Sequence, residues 1–151
     1  MRKIAMIYAS VHHKNTEKVV SYLASHFPME MDVTDVTKDA LPDLAGAEWV
    51  IFASGIYFNT VHKAITNAIN HSDLRGKKAI VLYTCGLSVR NYARAAGKLL
   101  RERGADYIGS CHCRGYDTFG PFGKIGGIAK GHPNDADMEK VLTALQQLTR
   151  R

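Results

Sequence analysis

Ile4-Ala-Met-Ile-Tyr-Ala-Ser-Val-His-His-Lys-Asn-Thr-Glu-Lys-Val-Val20 is the stretch whose reading decides the fold. Its first part, Ile4 to Ala9, is an unbroken apolar run of the kind found in a buried strand. The run breaks at Ser10 into a short polar loop of hydroxyls, imidazoles and an amide. A helical pattern then starts, with Asn15 or Thr16 as the expected N-cap and Val19, Val20, Leu23 and Phe27 as its apolar face. A strand that feeds a hydroxyl-rich loop at a helix N-terminus is suited to an anion. Unpaired N–H groups and the positive end of the helix dipole converge there, and Ser10, Asn15 and Thr16 add side-chain donors. Phosphate fits such a loop. The plainer reading is that any strand-loop-helix unit needs an N-cap, and these residues supply one without a ligand. No Gly-Lys-Ser/Thr ends the loop and no G-x-G-x-x-G runs through it, which excludes the two commonest phosphate-loop motifs.

The same alternation continues along the chain. Further strands are predicted at Met29–Val33, Trp49–Ser54, Lys78–Thr84 and Tyr107–Cys113, beside the first at Lys3–Ala9. Helices are predicted at Thr16–His26, Val61–His71, Val89–Arg103 and Ala136–Leu148, the last capped by Asn134 or Asp135. Asp35–Ala47 is read as a loop with one short helical turn. Near-continuously apolar strands alternating with helices imply a parallel sheet covered on both faces. The expected architecture is α/β, a three-layer doubly wound parallel five-stranded sheet of order 2-1-3-4-5, in one domain spanning all 151 residues. Ligand is then expected beyond the strand carboxyl ends, which selects the loops Ser10–Asn15, Ser54–Asn59 and Thr84–Ser88. Arg114–His132 stands apart, with six of the chain's 13 glycines in one long connection, and loops of that length are usually functional.

In their order these residues resemble a flavodoxin, over nearly the whole chain. The loop Tyr8-Ala-Ser-Val-His-His-Lys-Asn-Thr-Glu17 is similar to that family's hydroxyl-rich phosphate loop. Ser54-Gly-Ile-Tyr-Phe58 stands at its first flavin-flanking loop, and Thr84-Cys-Gly-Leu87 at its second. The run from Cys113 through Tyr116 and Asp117, with Gly131-His-Pro-Asn134, is similar to short-chain members. The resemblance implies FMN as cofactor and electron transfer as function. It assigns the FMN phosphate to Ser10, His12, Asn15 and Thr16. Ser54, Gly55, Ile56, Tyr57 and Phe58 would wrap the ring, with Ile56 or Tyr57 against one face. Thr84, Cys85, Gly86 and Leu87 would meet the pyrimidine edge, and Tyr116 and Asp117 complete the set. Lys14 stands where the family commonly has a small residue, and its charge either assists the phosphate or crowds the loop. A ring held by apolar and aromatic groups without a cation disfavours negative charge on the reduced ring and lowers its potential. A redox partner protein, reductase or acceptor, is implied.

Other chemistries compete with this one. Cys85-Gly-Leu-Ser-Val-Arg90 before a helical stretch resembles the rhodanese loop, which would make Cys85 a sulfur acceptor. The rest of the rhodanese pattern is missing from the N-terminal half. A receiver domain needs an acidic pair where this chain has Tyr8-Ala-Ser10. A flavodoxin-fold binding module without FMN is a third alternative, which the hydroxyls of the first loop argue against. Cys111-His112-Cys113 lacks a second cysteine pair for structural zinc and reads as strand packing. His12 and His13, being adjacent, make a poor metal pair.

The three cysteines are expected to be free thiols in a cytoplasmic protein. No apolar stretch approaches the roughly 20 residues that span a bilayer, and neither membrane nor nucleic acid is an expected partner. The net charge is +6, from 20 basic and 14 acidic residues. Arg90, Arg94, Lys98 and Arg101 recur at helical spacing. They form either a solvated face or a docking stripe for an acidic partner.

Overall fold

In the computed structural model, residues 3–11, 14–87, 89–116 and 127–150 are described. Strand β1, Ile4–Ala9, is buried along its whole length, and β2 is Met31–Asp35. Strand β3 covers Trp49–Tyr57, β4 is the two-residue Thr60–Val61, β5 is Lys78–Cys85 and β6 is Asp106–Arg114. The helices are α1 Asn15–His26, α2 Lys63–His71, α3 Arg94–Glu102 and α4 Asp135–Leu148. Five strands run parallel in the order β2-β1-β3-β5-β6, which is the expected doubly wound order, and β4 adds a sixth, antiparallel strand to β3.

Side chains alternate between the two faces of the sheet, and each face carries its own core. Ala5, Ile7, Val50, Phe52, Val81 and Tyr83 pack with Ile65, Ile69, Ala96 and Leu100 of α2 and α3. Ile4, Met6, Trp49, Ile51, Ile80 and Leu82 pack with Val19, Val20, Leu23, Val141 and Leu145 of α1 and α4. Apolar burial on both faces is what makes the strands read as continuous runs.

Several boundaries differ from those the sequence predicts. Helix α1 has Lys14 as its N-cap, in the left-handed region with φ 53°, instead of Asn15 or Thr16. Strand β3 continues to Tyr57 and turns back through Phe58 and Asn59 to pair with β4, so Val61 belongs to a hairpin and α2 starts at Lys63. Phe58 and Asn59 both have positive φ, 50° and 66°. That combination makes a type I′ turn, whose twist matches that of the hairpin. Helix α3 starts at Arg94, not Val89, because the Asn91 side chain accepts the Ala93 N–H and turns the chain before it. Arg90 therefore lies off the helix, and the four-residue basic stripe is not one helical face. Lys98 reaches Glu102 and Arg101 lies over the Tyr107 ring. Helix α4 has the predicted Asn134 cap, in a reciprocal capping box with Asp137.

Candidate functional site

Three of the sheet's central strands end side by side, and the loops after them meet. Ser10, Asn15 and Thr16 follow β1; Gly55, Ile56 and Tyr57 end β3; Thr84, Cys85 and Gly86 end β5. With Gly115 and Tyr116 after β6, they line one cleft. None of these side chains is Lys, Arg, Asp or Glu.

The first loop is built from hydroxyls. Ser10 Oγ accepts the Glu17 N–H at 3.1 Å, so it caps α1 from outside the helix, while its own proton remains available. Thr16 is buried and its Oγ1 lies 3.0 Å from Thr84 Oγ1, which ties the loop after β1 to the end of β5. Whichever hydroxyl accepts this bond keeps a proton to give. Asn15 is buried and its Nδ2 donates to the Tyr116 carbonyl at 2.7 Å, joining residues 101 positions apart. Gly115 makes that possible, since a Cβ there would lie 2.7 Å from Asn15 Nδ2. Asn15 Oδ1 is left buried without a hydrogen-bond partner, an acceptor facing a missing donor. Below the loop, the buried Tyr8 hydroxyl donates to Glu17 Oε1 at 3.3 Å. Burial, with Asp35 and Glu17 nearby, pushes that phenol up to about 12.

The second loop is held by Ser54. Its Oγ donates to the Gly55 carbonyl at 2.6 Å and accepts the His62 N–H at 2.8 Å, fixing the hairpin to the start of α2. His62 Nδ1 accepts the Ala64 N–H at 2.9 Å as the cap of α2, and its ring meets Tyr57 edge-on at 5.3 Å. An acceptor Nδ1 requires the neutral imidazole. Burial first, and the Lys63 charge second, lower His62 below its ordinary 6.5. Because the unfolded chain takes up this proton first, the neutral cap contributes its full stability above that value. The contribution is lost as pH falls through the lower folded value. His62→Asn keeps a capping acceptor without the titration. It is expected to lose less stability than the wild type in urea melts taken from roughly pH 7 to pH 5. Equal losses would remove His62 as the cause. His112, also lowered by burial and then Lys140, titrates in both proteins and cancels.

In the third loop Tyr92 donates to the Leu87 carbonyl at 3.0 Å and stacks edge-on with Tyr83. After β6, the Tyr116 N–H donates to the His132 carbonyl at 2.9 Å. His132 Nδ1 in turn bonds Asp137 Oδ2 at 2.5 Å. Burial alone would raise the Asp137 carboxyl, but the Asn134 N–H and His132 outweigh it and hold it below its ordinary value.

Most of the predicted site residues converge here. Ser10, Asn15, Thr16, Gly55, Ile56, Tyr57, Thr84, Cys85, Gly86 and Tyr116 line the cleft, and Ser54 supports it from behind. Lys14 is exposed at the α1 cap. Phe58 is turned outward, into a neighbouring groove with Val11 and α2, and Leu87 is also exposed. His12, His13, Ser88, Asp117 and Phe119 lie outside the described residues. Gly115 is a site residue that the sequence motifs do not single out, although its place beside Tyr116 in a glycine-rich run is a usable signal. Cys85 is buried, α3 begins only at Arg94 and Arg90 is exposed, so no helix N-terminus directly follows the Cys85-to-Arg90 segment as a sulfur-transfer loop requires. Cys111 and Cys113 pack in the α1–α4 core, where burial pushes both thiols up to about 12. His112 lies on the opposite face, stacked 4.9 Å from Tyr83, so the three cannot share a metal. No group of metal-binding side chains occurs among the described residues, and none of their helices is long and apolar enough to cross a membrane.

A doubly wound sheet with an uncharged, hydroxyl-lined cleft beyond its central strands defines a flavodoxin-like protein. Residues 5–116 match the Flavodoxin domain family, and the chain belongs to it. It is similar to an uncharacterized protein of Methanocaldococcus jannaschii, 31% identical over 140 residues, 91% of this chain and 92% of that protein. Among solved structures it is similar to oxidised flavodoxin 1 of Bacillus cereus, with TM-score 0.71 and 21% identity over 99% of this chain and 98% of that one. A Fusobacterium nucleatum flavodoxin mutant bound to flavin mononucleotide gives TM-score 0.69 at 14% identity, over 99% and 96%. Rubredoxin oxygen:oxidoreductase of Desulfovibrio gigas gives 0.74 at 18%, over 99% of this chain but 36% of that one. At such identities the structural likeness speaks to fold alone.

Proposed function

We propose that this chain binds FMN in the cleft and serves as an electron-transfer protein for a redox partner. The observation that carries the reading is the cleft itself, where the loops after β1, β3 and β5 converge. Its donor set fits the cofactor. The phosphate would be held by the Ser10 and Thr16 hydroxyls and the N–H groups of the first turn of α1, with Lys14 and His12 beside them. The buried Asn15 Oδ1 needs a donor, and the hydroxyls of a ribityl chain are donors. Gly55, Ile56 and Tyr57, with Ser54 behind them, would flank the ring. Thr84 to Gly86 would meet its polar edge, and Tyr116 with Asp117 would close the site.

FMN supplies the chemistry, taking up and releasing electrons; the chain binds and orients it and sets its surroundings. No charged side chain lines the cleft among the described residues. Negative charge on a reduced ring would therefore be poorly compensated, and the potential is expected to be low. The type I′ turn puts rigid, non-glycine backbone at Phe58 and Asn59 next to the ring site, which limits peptide rotation there.

Titrating the purified protein, stripped of any bound ligand, with FMN tests the reading. Quenching of flavin fluorescence and protein-bound visible absorption at one equivalent are expected. A protein that stays colourless and takes up no added FMN would overturn the proposal in favour of a flavin-free binding module.

A further inference from the structure

We infer that the α2–α3 side of the cleft rim is the docking face for an acidic redox protein; this rests on the proposed FMN site. Each of the three loops turns a large apolar side chain outward. Val11 is 50% exposed, Phe58 83%, Leu87 50% and Val89 64%. Only one other large apolar residue is exposed among the described residues, Val33 on β2. None of the four rim residues lines the cleft, and Val11 and Phe58 line the groove against α2. Phe58 also holds a left-handed backbone, a conformation that bulky residues avoid. A phenylalanine this exposed at a hairpin tip suits an interface centre, which is apolar and aromatic.

The charge around this apolar centre has one sign. Helices α2 and α3 begin with Lys63 and Arg94, and neither has an acidic residue in its first turn. Cations at a helix N-terminus oppose the dipole, so both ends carry more positive potential than an ordinary cap. Arg90 is exposed between β5 and α3 on the same rim. Among the described residues, the acids near the strand carboxyl ends lie elsewhere. Glu17 belongs to α1, where Tyr8 holds it, Asp35 ends β2, and Asp135 and Asp137 are in the first turn of α4. Among the described residues the α2–α3 side of the rim therefore carries cations and no acid, whereas the α1 side mixes Lys14 and Lys18 with Glu17. An apolar centre edged by cations suits a protein with an acidic collar round its own redox centre. A nucleic acid would instead need cations along the track of its phosphates.

The FMN-loaded protein can be mixed with a reduced, acidic [2Fe–2S] ferredoxin in a stopped flow. One electron leaves the reduced iron–sulfur centre, which is oxidised, and reaches the bound flavin, which is reduced. The second-order rate is expected to fall steeply as salt rises. Lys63→Glu with Arg94→Glu is expected to lower the low-salt rate about tenfold and flatten the salt dependence, with FMN affinity unchanged. Val89→Ser should slow the reaction at every salt concentration without changing the slope. A basic cytochrome c as counter-partner should be reduced faster by the charge-reversed variant than by the wild type. FMN bound normally, with rates indifferent to salt and to both variants, would overturn the docking face and leave the cofactor site standing. Failure to take up FMN would overturn both. Duplex DNA bound by the wild type and lost in the charge-reversed variant, with ferredoxin rates unmoved, would reassign the face to nucleic acid.

Discussion

Alanine at both Ser10 and Thr16 is expected to weaken FMN about a hundredfold and riboflavin only severalfold. Hydrogen bonds to a charged group contribute about 1.5–3 kcal/mol each, and a phosphate dianion is the only part of FMN that riboflavin lacks. Two such bonds lost, with water entering in their place, bring the net cost to about 2.7 kcal/mol, which is a hundredfold in affinity. Ser10 also accepts the Glu17 N–H, so its loss removes a cap as well, at about 1 kcal/mol of stability. Thr16→Ser separates the two effects: it keeps a hydroxyl opposite Thr84 and should bind FMN nearly as the wild type does. Isothermal titration with both ligands decides the matter. Equal losses for FMN and riboflavin would move the phosphate away from this loop.

Gly97→Ala is expected to destabilise the fold by about 1–3 kcal/mol, against the direction that helix propensity alone would give. Alanine replacing glycine in an exposed helix stabilises by about 1 kcal/mol. Here a Cβ on Gly97 would lie 2.4 Å from Tyr107 Cε2 and 2.7 Å from Cζ. The ring cannot step aside cheaply. It packs at the edge of the α2–α3 core, and the Arg101 guanidinium lies 5.0 Å from its centroid. Forcing atoms into such a site strains rotamers and shifts backbone. Urea melts of Gly97→Ala, Tyr107→Ser and the double variant give the test. The double variant should recover most of the Gly97→Ala loss, because the two residues share one space. Additive losses would show that the clash is relieved elsewhere.

Much of the architecture could be read from the chain because its evidence is local. Ile4–Ala9 and Ala79–Tyr83 are apolar on consecutive residues, and a run that short is the pattern of a strand buried on both faces. The Asn134 cap and its partner Asp137 lie three residues apart, within reach of a sequence rule. The hairpin was not legible. A type I′ turn is announced by Asn-Gly or Asp-Gly, and here the positive φ values fall on Phe58 and Asn59, with no glycine between the strands. The start of α3 differs from the expected one because Val89-Arg-Asn-Tyr-Ala93 continues the helical spacing, while the Asn91 side chain competes with the helix for a backbone donor.

The sequence by itself determined the order of strands and helices, the parallel sheet with a core on each face, and which three loops meet at its carboxyl edge. Each of these follows from periodicity and from the sterics that make crossovers right-handed. Only the tertiary structure decided how the loops are joined and what surrounds them. Asn15 finds the Tyr116 carbonyl across 101 residues, and Thr16 finds Thr84 across 68, because β1, β3, β5 and β6 lie next to one another in that order. No spacing rule along the chain encodes such a pair. The separation of charge was decided in the same way. Lys63 stands far from Arg90 and Arg94 in sequence, and they share one side of the rim because α2 and α3 pack on the same face of the sheet.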